Sequence, residues 1–421
     1  MTSTTGSAVT RVVVTGMGAI TPSGLDVPSL WDAVVHGRSA ITVLEEPEFS
    51  RLAVRIGGRV RGFETTLEPS LARRLTPLQQ WAMAAAEQAL AHAGATALPW
   101  DPERVAIIAA TGSGPVDAMQ QATRALDAKG PRAVPLTLSM HGAPDAAAAL
   151  LSQRYGILGP AQGVSATCAS GAVGLGEALR RIRHGYADAV LVVGMEDCLN
   201  PVNLSSNANM RALASGYEEE PARASRPFDS ARSGFVMAQG AAAVVLESEQ
   251  AAHARDATVL AELAGFGASS DAYHPTAPDP GGAGGARAIR DALADAGIAP
   301  DEVDHINAHG TGTVAGDSAE LNALAAALGT RAMGVPISAT KSSTGHLLGS
   351  GGVVEAIIAV RTLREGILPP TLNLDDPAFP EWNIVSQPHE QRVDTVLSTS
   401  FGFGGHNGAV VLRRPQNRST R

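Results

Sequence analysis

Cysteine is nearly absent: Cys168 and Cys198 are the only two in 421 residues. Two thiols cannot build a disulfide scaffold, and without metal-ligand spacing they argue against a structural zinc site. A reducing, cytoplasmic setting with no bound metal is expected. Aromatic residues make up only 4% of the chain, so the core must be built from Ala, Val, Leu and Ile. Such side chains suit helices packed tightly on parallel strands. No apolar run of about 20 residues is free of breakers, so no membrane-spanning helix is expected. Residues 1–10 are rich in Ser and Thr and lack the basic-then-apolar pattern of a signal peptide; they read as a disordered lead-in. Basic residues are outnumbered, 32 to 41, for a net charge of -9, which speaks against a nucleic-acid partner. A local basic patch for an acidic protein remains open, with Arg73 and Arg74, or Arg180, Arg181 and Arg183, as its candidates.

What is present is alternation. Short β-branched runs (Arg11–Thr15, Val105–Ala110, Ala189–Val193, Ala241–Leu246) read as buried strands, with helical spacing over Gln79–His92 and Val173–His184 between them. The pattern then restarts. Val259–Gly265, Val303–Ala308, Pro336–Thr340, Val396–Ser400 and Ala409–Arg413 read as strands, and Ala286–Ala296, Ser318–Leu328 and Gly352–Arg364 as helices. The run from Gly240 to Glu247 resembles that from Gly408 to Arg414, each closing its half. This implies an internal duplication joined near residues 249–258, and an α/β architecture with mostly parallel sheets.

Three strand-to-helix turns carry the chemistry. In Val164-Ser-Ala-Thr-Cys168-Ala-Ser-Gly171 the cysteine stands at a helix start, where unpaired N–H groups and the helix dipole are expected to lower its pKa towards thiolate. Cys198 lacks that context and reads as structural. The turns Asn307-Ala-His309-Gly-Thr-Gly-Thr313 and Ala339-Thr-Lys341-Ser-Ser-Thr-Gly-His346 each place a histidine at a strand end. In open α/β sheets such turns gather at the carboxyl ends of the strands, where ligands bind. Thr311 and Thr313 offer hydroxyls to a polar tether. A buried Lys341 needs a carboxylate, and Glu355 is the candidate. The loop Ser400-Phe-Gly-Phe403-Gly-Gly405 can supply one backbone N–H to an oxyanion hole shared with Cys168.

Together these motifs resemble the β-ketoacyl-acyl carrier protein synthases over nearly the whole chain. Thr-Cys168-Ala-Ser-Gly, Ala-His309-Gly-Thr-Gly-Thr, Thr-Lys341-Ser-Ser-Thr-Gly-His346, Glu355 and Phe401-Gly-Phe403-Gly-Gly occur in the family's order, and Ser270-Asp-Ala-Tyr-His-Pro-Thr276 looks like its elongating branch. The resemblance implies a thiolase-type fold. Its duplicated halves, residues 11–253 with the cysteine and 254–421 with the histidines, would stack in a five-layered α-β-α-β-α arrangement. It implies decarboxylative Claisen condensation: Cys168 carries the acyl chain, His309 and His346 stabilise the enolate, and the amides of Cys168 and Phe403 hold the oxyanion. Lys341 and Glu355 would order the site. Thr276, Thr311, Thr313, Phe401, Gly404 and Asn207 would meet the substrate or its pantetheine arm. No permanent cofactor is implied, since substrates ride on the 4'-phosphopantetheine of acyl carrier protein. The implied partners are that carrier and a second, identical or homologous subunit such as a chain-length factor.

Two departures bear on substrate. The family usually reads Arg-Asp-Gly-Phe-Val-Met-Gly-Glu-Gly, whereas Ser233 and Gln239 replace its acids here, and Asn207 stands where a bulky Phe is common. A polar residue there favours a polar or unsaturated chain, hence a type II polyketide or polyene pathway. A housekeeping fatty acid elongation synthase, a non-catalytic chain-length-factor-like subunit and a ketosynthase-like acyltransferase are the alternatives.

Overall fold

The computed structural model describes residues 9–415. Most of the expected N-terminal lead-in, residues 1–8, lies outside them. Ten strands form the main sheet: β1 (Val12–Ile20), β2 (Val105–Ala110), β3 (Ala161–Val164), β4 (Ala189–Glu196), β5 (Gly240–Ser248), β6 (Ala261–Ser270), β7 (His305–Asn307), β8 (Ile337–Ser338), β9 (Thr395–Gly402) and β10 (His406–Arg413). Their spatial order is β8-β7-β9-β10-β6-β1-β5-β4-β2-β3. Cut between β6 and β1, this gives two five-stranded units of one topology, 1-5-4-2-3 and 6-10-9-7-8, with the same pattern of parallel and antiparallel neighbours. The closing strands that looked alike in sequence are β5 and β10, which hold equivalent places. The seam between the units is slight: β1 and β6 pair only at Val13↔Glu262 and Val14↔Ala261.

The expectation of mostly parallel sheets needs correction. Only β2/β3, β2/β4, β7/β8 and β7/β9 are parallel; the other neighbouring pairs, including β1/β5 and β6/β10, are antiparallel. All-apolar strands such as β2 and β5 do not reveal direction, because burial on both faces yields the same continuous run in either case.

The helices that place the site are α1 (Pro77–His92), α2 (Val116–Lys129), α3 (Ser170–Arg183), α4 (Pro201–Asn209), α5 (Ala283–Ala296), α6 (Val314–Leu328) and α7 (Gly351–Glu365). Local chemistry sets their ends. Thr76 caps α1 in a capping box with Gln79 and Pro77 opens it, while α5 and α7 stop at left-handed Gly297 and Gly366. Helix α1 covers the outside of the first unit and α5 and α6 the outside of the second, each side with its own apolar cluster. A third cluster lies between the units around α3 and α7, giving five layers, α-β-α-β-α. α7 is buried on every side, from Gly351 through Val360. Helix α2 carries Val116, Met119, Ala122 and Leu126 at helical spacing, yet Ala122 is its only buried residue. None of the described helices is long and apolar enough to cross a membrane.

The central helices cross almost backbone to backbone. A Cβ on Gly352 would lie 2.5 Å from the Ala172 nitrogen, and one on Gly171 would lie 2.8 Å from the Val353 nitrogen. This contact joins the helix that follows Cys168 to the helix that follows His346. Gly352→Val is therefore expected to cost about 1–3 kcal/mol by overpacking, read as a lowered midpoint in urea unfolding, and to lower turnover with it.

Candidate active site

Cys168 sits on a sharp turn between β3 and α3. Thr167 before it has φ 49°, and the Ser170 hydroxyl closes the turn by accepting from the Ala166 N–H (2.8 Å) and facing the Thr167 carbonyl (2.6 Å). The histidine turns are pinned from behind. Glu320, on α6, accepts the N–H groups of His309 (2.7 Å) and Gly310 (2.8 Å), and Asp317 accepts those of Gly312 (3.0 Å) and Phe228 (2.8 Å). The His346 backbone donates to Val236 (2.7 Å) and accepts from Ala238 (2.9 Å). The two imidazoles meet edge to face, 5.3 Å between centroids, flanked by Phe401 beside His309 and Phe235 beside His346.

Cys168, His309 and His346 open onto one cavity of about 370 Å³. Thr276, Thr311, Thr313, Phe401 and Phe403 line it too, as does Ser233 of the departing motif. Thr311 and Thr313 hydroxyls lie 3.1 Å apart, and Thr313 also caps α6 by accepting from Gly316. That cap explains why α6 begins before the expected Ser318.

Two expected lining residues stand elsewhere. Gly404 is absent from the cavity wall although its neighbours Phe403 and Gly405 line it, and its N–H donates to the Pro275 carbonyl (2.8 Å). Asn207, on α4, also lies off the cavity wall, and its amide donates to the Asn203 carbonyl one turn back (2.9 Å). Partly exposed and with its amide nitrogen held by its own helix, it is not the buried unpaired amide that the polar-chain argument required. Of the candidate patch arginines, Arg180 pairs with Glu177, Arg181 donates to Gln162, and Arg183 pairs with Asp295.

Lys341 and Glu355 lie beneath the cavity, paired to each other and almost wholly buried. Burial pushes the Glu355 carboxyl up to about 7, with Lys341 opposing. Burial and the Lys341 charge hold both imidazoles well below the ordinary histidine range, so they are neutral at pH 7. His346 has both ring nitrogens without a protein partner, and His309 has its Nδ1 so. A neutral ring with an open N–H can donate to a bound carbonyl oxygen. The cysteine overturns the sequence expectation. Burial raises its thiol to about 12, against Lys341 and the backbone N–H groups of Phe403 and Cys168, which favour the thiolate. The two N–H groups do converge on Cys168, but desolvation wins. Cys198 is buried away from the cavity, with Sγ 2.9 Å from the Ala238 carbonyl.

Sequence reasoning missed Asp317 and Glu320, although two acids three apart just after a glycine-rich turn are the signal of a loop clamp. It also missed Glu196 at the end of β4, whose carboxylate gathers the N–H groups of Gly112 (2.7 Å), Ser113 (3.1 Å) and Gly349 (2.9 Å). Among the described residues no group of three or more His, Cys, Asp and Glu is disposed to hold a metal.

Because the thiol is raised to about 12, alkylation of Cys168 by iodoacetamide should quicken about tenfold per pH unit from 6 to 9, without levelling off. A plateau near neutrality would mean a stabilised thiolate. Lys341→Met strands a buried carboxylate and is expected to cost about 3–5 kcal/mol, with Lys341→Met/Glu355→Leu recovering part of the loss in thermal unfolding.

Models of the beta-ketoacyl synthase family match the chain twice: the N-terminal domain at residues 9–252 and the C-terminal domain at 260–375. The chain is 38% identical over 408 residues to a 3-oxoacyl-[acyl-carrier-protein] synthase 2 of Coxiella burnetii, covering 96% of this chain and 98% of that one. It is 40% identical over 410 residues to the protein of that name from Vibrio harveyi, with the same coverage. Among solved structures it is similar to a ketosynthase complex described as a type II PKS acyl-carrier protein with its ketosynthase bound to the hexaketide. There the TM-score is 0.89 at 31% identity, over 97% of this chain and all of that one. The ishigamide ketosynthase/chain length factor gives 0.88 at 30%, with the same coverage. The two-unit, five-layer arrangement is the thiolase-type fold of these ketosynthases. The chain thus belongs to the beta-ketoacyl synthase family, the acyltransferase-class condensing enzymes.

Proposed function

We propose that the chain condenses an acyl group carried on Cys168 with malonyl-acyl carrier protein, by decarboxylative Claisen chemistry. The observation that carries this is the convergence of Cys168, two neutral histidines and two backbone N–H donors on one cavity. The Cys168 sulfur attacks the carrier thioester, the Cys168 and Phe403 amides hold the oxyanion, and the carrier thiol leaves with the cysteine's proton. Malonyl-carrier then loses carbon dioxide; His309 and His346 hydrogen-bond the enolate oxygen, which a neutral imidazole can do without being deprotonated first. The enolate carbon attacks the acyl-Cys168 thioester, and the cysteine leaves and regains a proton. Lys341, paired with Glu355, orders the histidines by its charge. Thr276, Thr311 and Thr313 hold the 4'-phosphopantetheine arm, and Phe401 shapes the cavity beside His309. The nucleophile belongs to residues 11–253 and the histidines to 254–421.

Acyl carrier protein is the proposed carrier of both substrates, in the cytoplasm, with a second identical or homologous subunit as partner. Likeness to a type II PKS ketosynthase and to a ketosynthase/chain length factor supports a polyketide or polyene pathway. Fatty acid elongation is the second reading, favoured by the higher identity, 38–40%, to the 3-oxoacyl synthases. The loss of the Asn207 argument narrows the gap between them.

Intact-mass analysis after incubation with hexanoyl-carrier protein tests the proposal. The wild type should gain one hexanoyl group that Cys168→Ala does not, and malonyl-carrier should discharge it as a β-ketoacyl product. His309→Ala and His346→Ala should still acylate while condensing at least about a hundredfold more slowly. Acylation without condensation in the wild type would instead indicate an acyltransferase, and no adduct a non-catalytic subunit.

A further inference from the structure

Thr167 combines two features that the mechanism above leaves unused. It holds φ 49°, a left-handed conformation in which a β-branched residue is an outlier. Such a conformation costs about 1–3 kcal/mol and persists only where the surroundings impose it. Its hydroxyl lies 2.8 Å from its neighbour's carbonyl, that of Ala166, and 2.8 Å from the Phe403 carbonyl, 236 positions away. One proton serves both acceptors, and the second bond ties the turn carrying the cysteine to the loop after β9. The end of β9 that leads into this loop runs against the turn with nothing between: a Cβ on Gly402 would lie 2.1 Å from the Thr167 hydroxyl and 3.0 Å from the Cys168 nitrogen. Phe403 is also one of the two residues whose N–H groups favour a negative charge at Cys168. It is thus held through its carbonyl by the residue before Cys168 while its N–H faces Cys168 itself.

We infer that Thr167 is a positioning residue: its hydroxyl latches the Phe403 carbonyl and so keeps the Phe403 N–H aimed at the oxyanion that forms over Cys168. The inference rests on Cys168 being the acyl-carrying nucleophile. A donor out of place loses its effect because it must meet the charge that develops in the transition state, not the resting carbonyl.

The test separates a reaction that needs the oxyanion donors from one that does not. Thr167→Val keeps the shape without the hydroxyl, Thr167→Ala removes the β-branch and the hydroxyl together, and Thr167→Ser keeps the donor. Acylation by hexanoyl-carrier protein should fall about ten- to a hundredfold in the Val and Ala variants. Iodoacetamide alkylation of Cys168, which forms no oxyanion, should stay within about twofold, and the Ser variant should acylate at nearly the wild-type rate. Wild-type acylation rates in both Val and Ala variants would overturn the latch. So would a Ser variant as slow as Val, or acylation, alkylation and melting temperature falling in step. A wild type that forms no Cys168 adduct would sink the nucleophile reading together with the latch; the other outcomes sink the latch alone.

Discussion

The structure turns on one close contact. Helices α3 and α7 touch at Gly171 and Gly352 with no side chain between them, and Cys168, His346 and Glu355 hang from one or the other. Cys168 stands just ahead of α3, and His346 stands on the turn that leads into α7. Glu355, one turn inside α7, reaches back to Lys341. Larger side chains at the crossing would part the two units, and with them the thiol from the imidazole. The same economy recurs outside: β1 accepts α1 at Gly16 and Gly18, and β6 accepts α5 at Gly265 and Gly267. Small residues at strand–helix and helix–helix contacts let a core with few aromatics reach full density.

Burial then sets the electrostatics. A thiol, two imidazoles, a lysine and several carboxylates share a buried volume, where the penalty on a lone charge exceeds what a neighbouring dipole returns. Lys341 and Glu355, which face each other, offset part of that penalty as a pair. The cysteine and the histidines are accordingly neutral at rest, and charge appears only when substrate brings it. Backbone amides fixed by Glu196, Glu320 and Asp317 await that moment, and fixed dipoles need no rearrangement when it comes.

The sequence reveals what is periodic or local. Val105–Ala110 is a strand over those same residues, α1 and α5 differ from their expected spans only at their starts, and the strands closing each half resemble each other because they occupy equivalent places. Three strand-to-helix turns were enough to bring Cys168, His309 and His346 together. Strand direction was not legible, since buried strands read alike either way. Nor was the cysteine's ionisation: a helix start is visible in sequence, whereas the desolvation that outweighs it depends on chains folded over from both halves. Asn207 misled for a related reason, as its partner lies one turn back on its own helix rather than in a pocket. The loop clamps by Asp317 and Glu320 join acids to amides that only the folded turn brings within reach.

The slight seam between β1 and β6 has a consequence for how the chain is made. During synthesis the first unit emerges with β1 as a bare edge and with the inner faces of its sheet and of α3 uncovered, because α7 and β6 come later in the chain. An unpaired edge of wholly buried residues invites pairing with another chain. The nascent protein is therefore more exposed to misassembly while its second unit is still being translated than once it is complete.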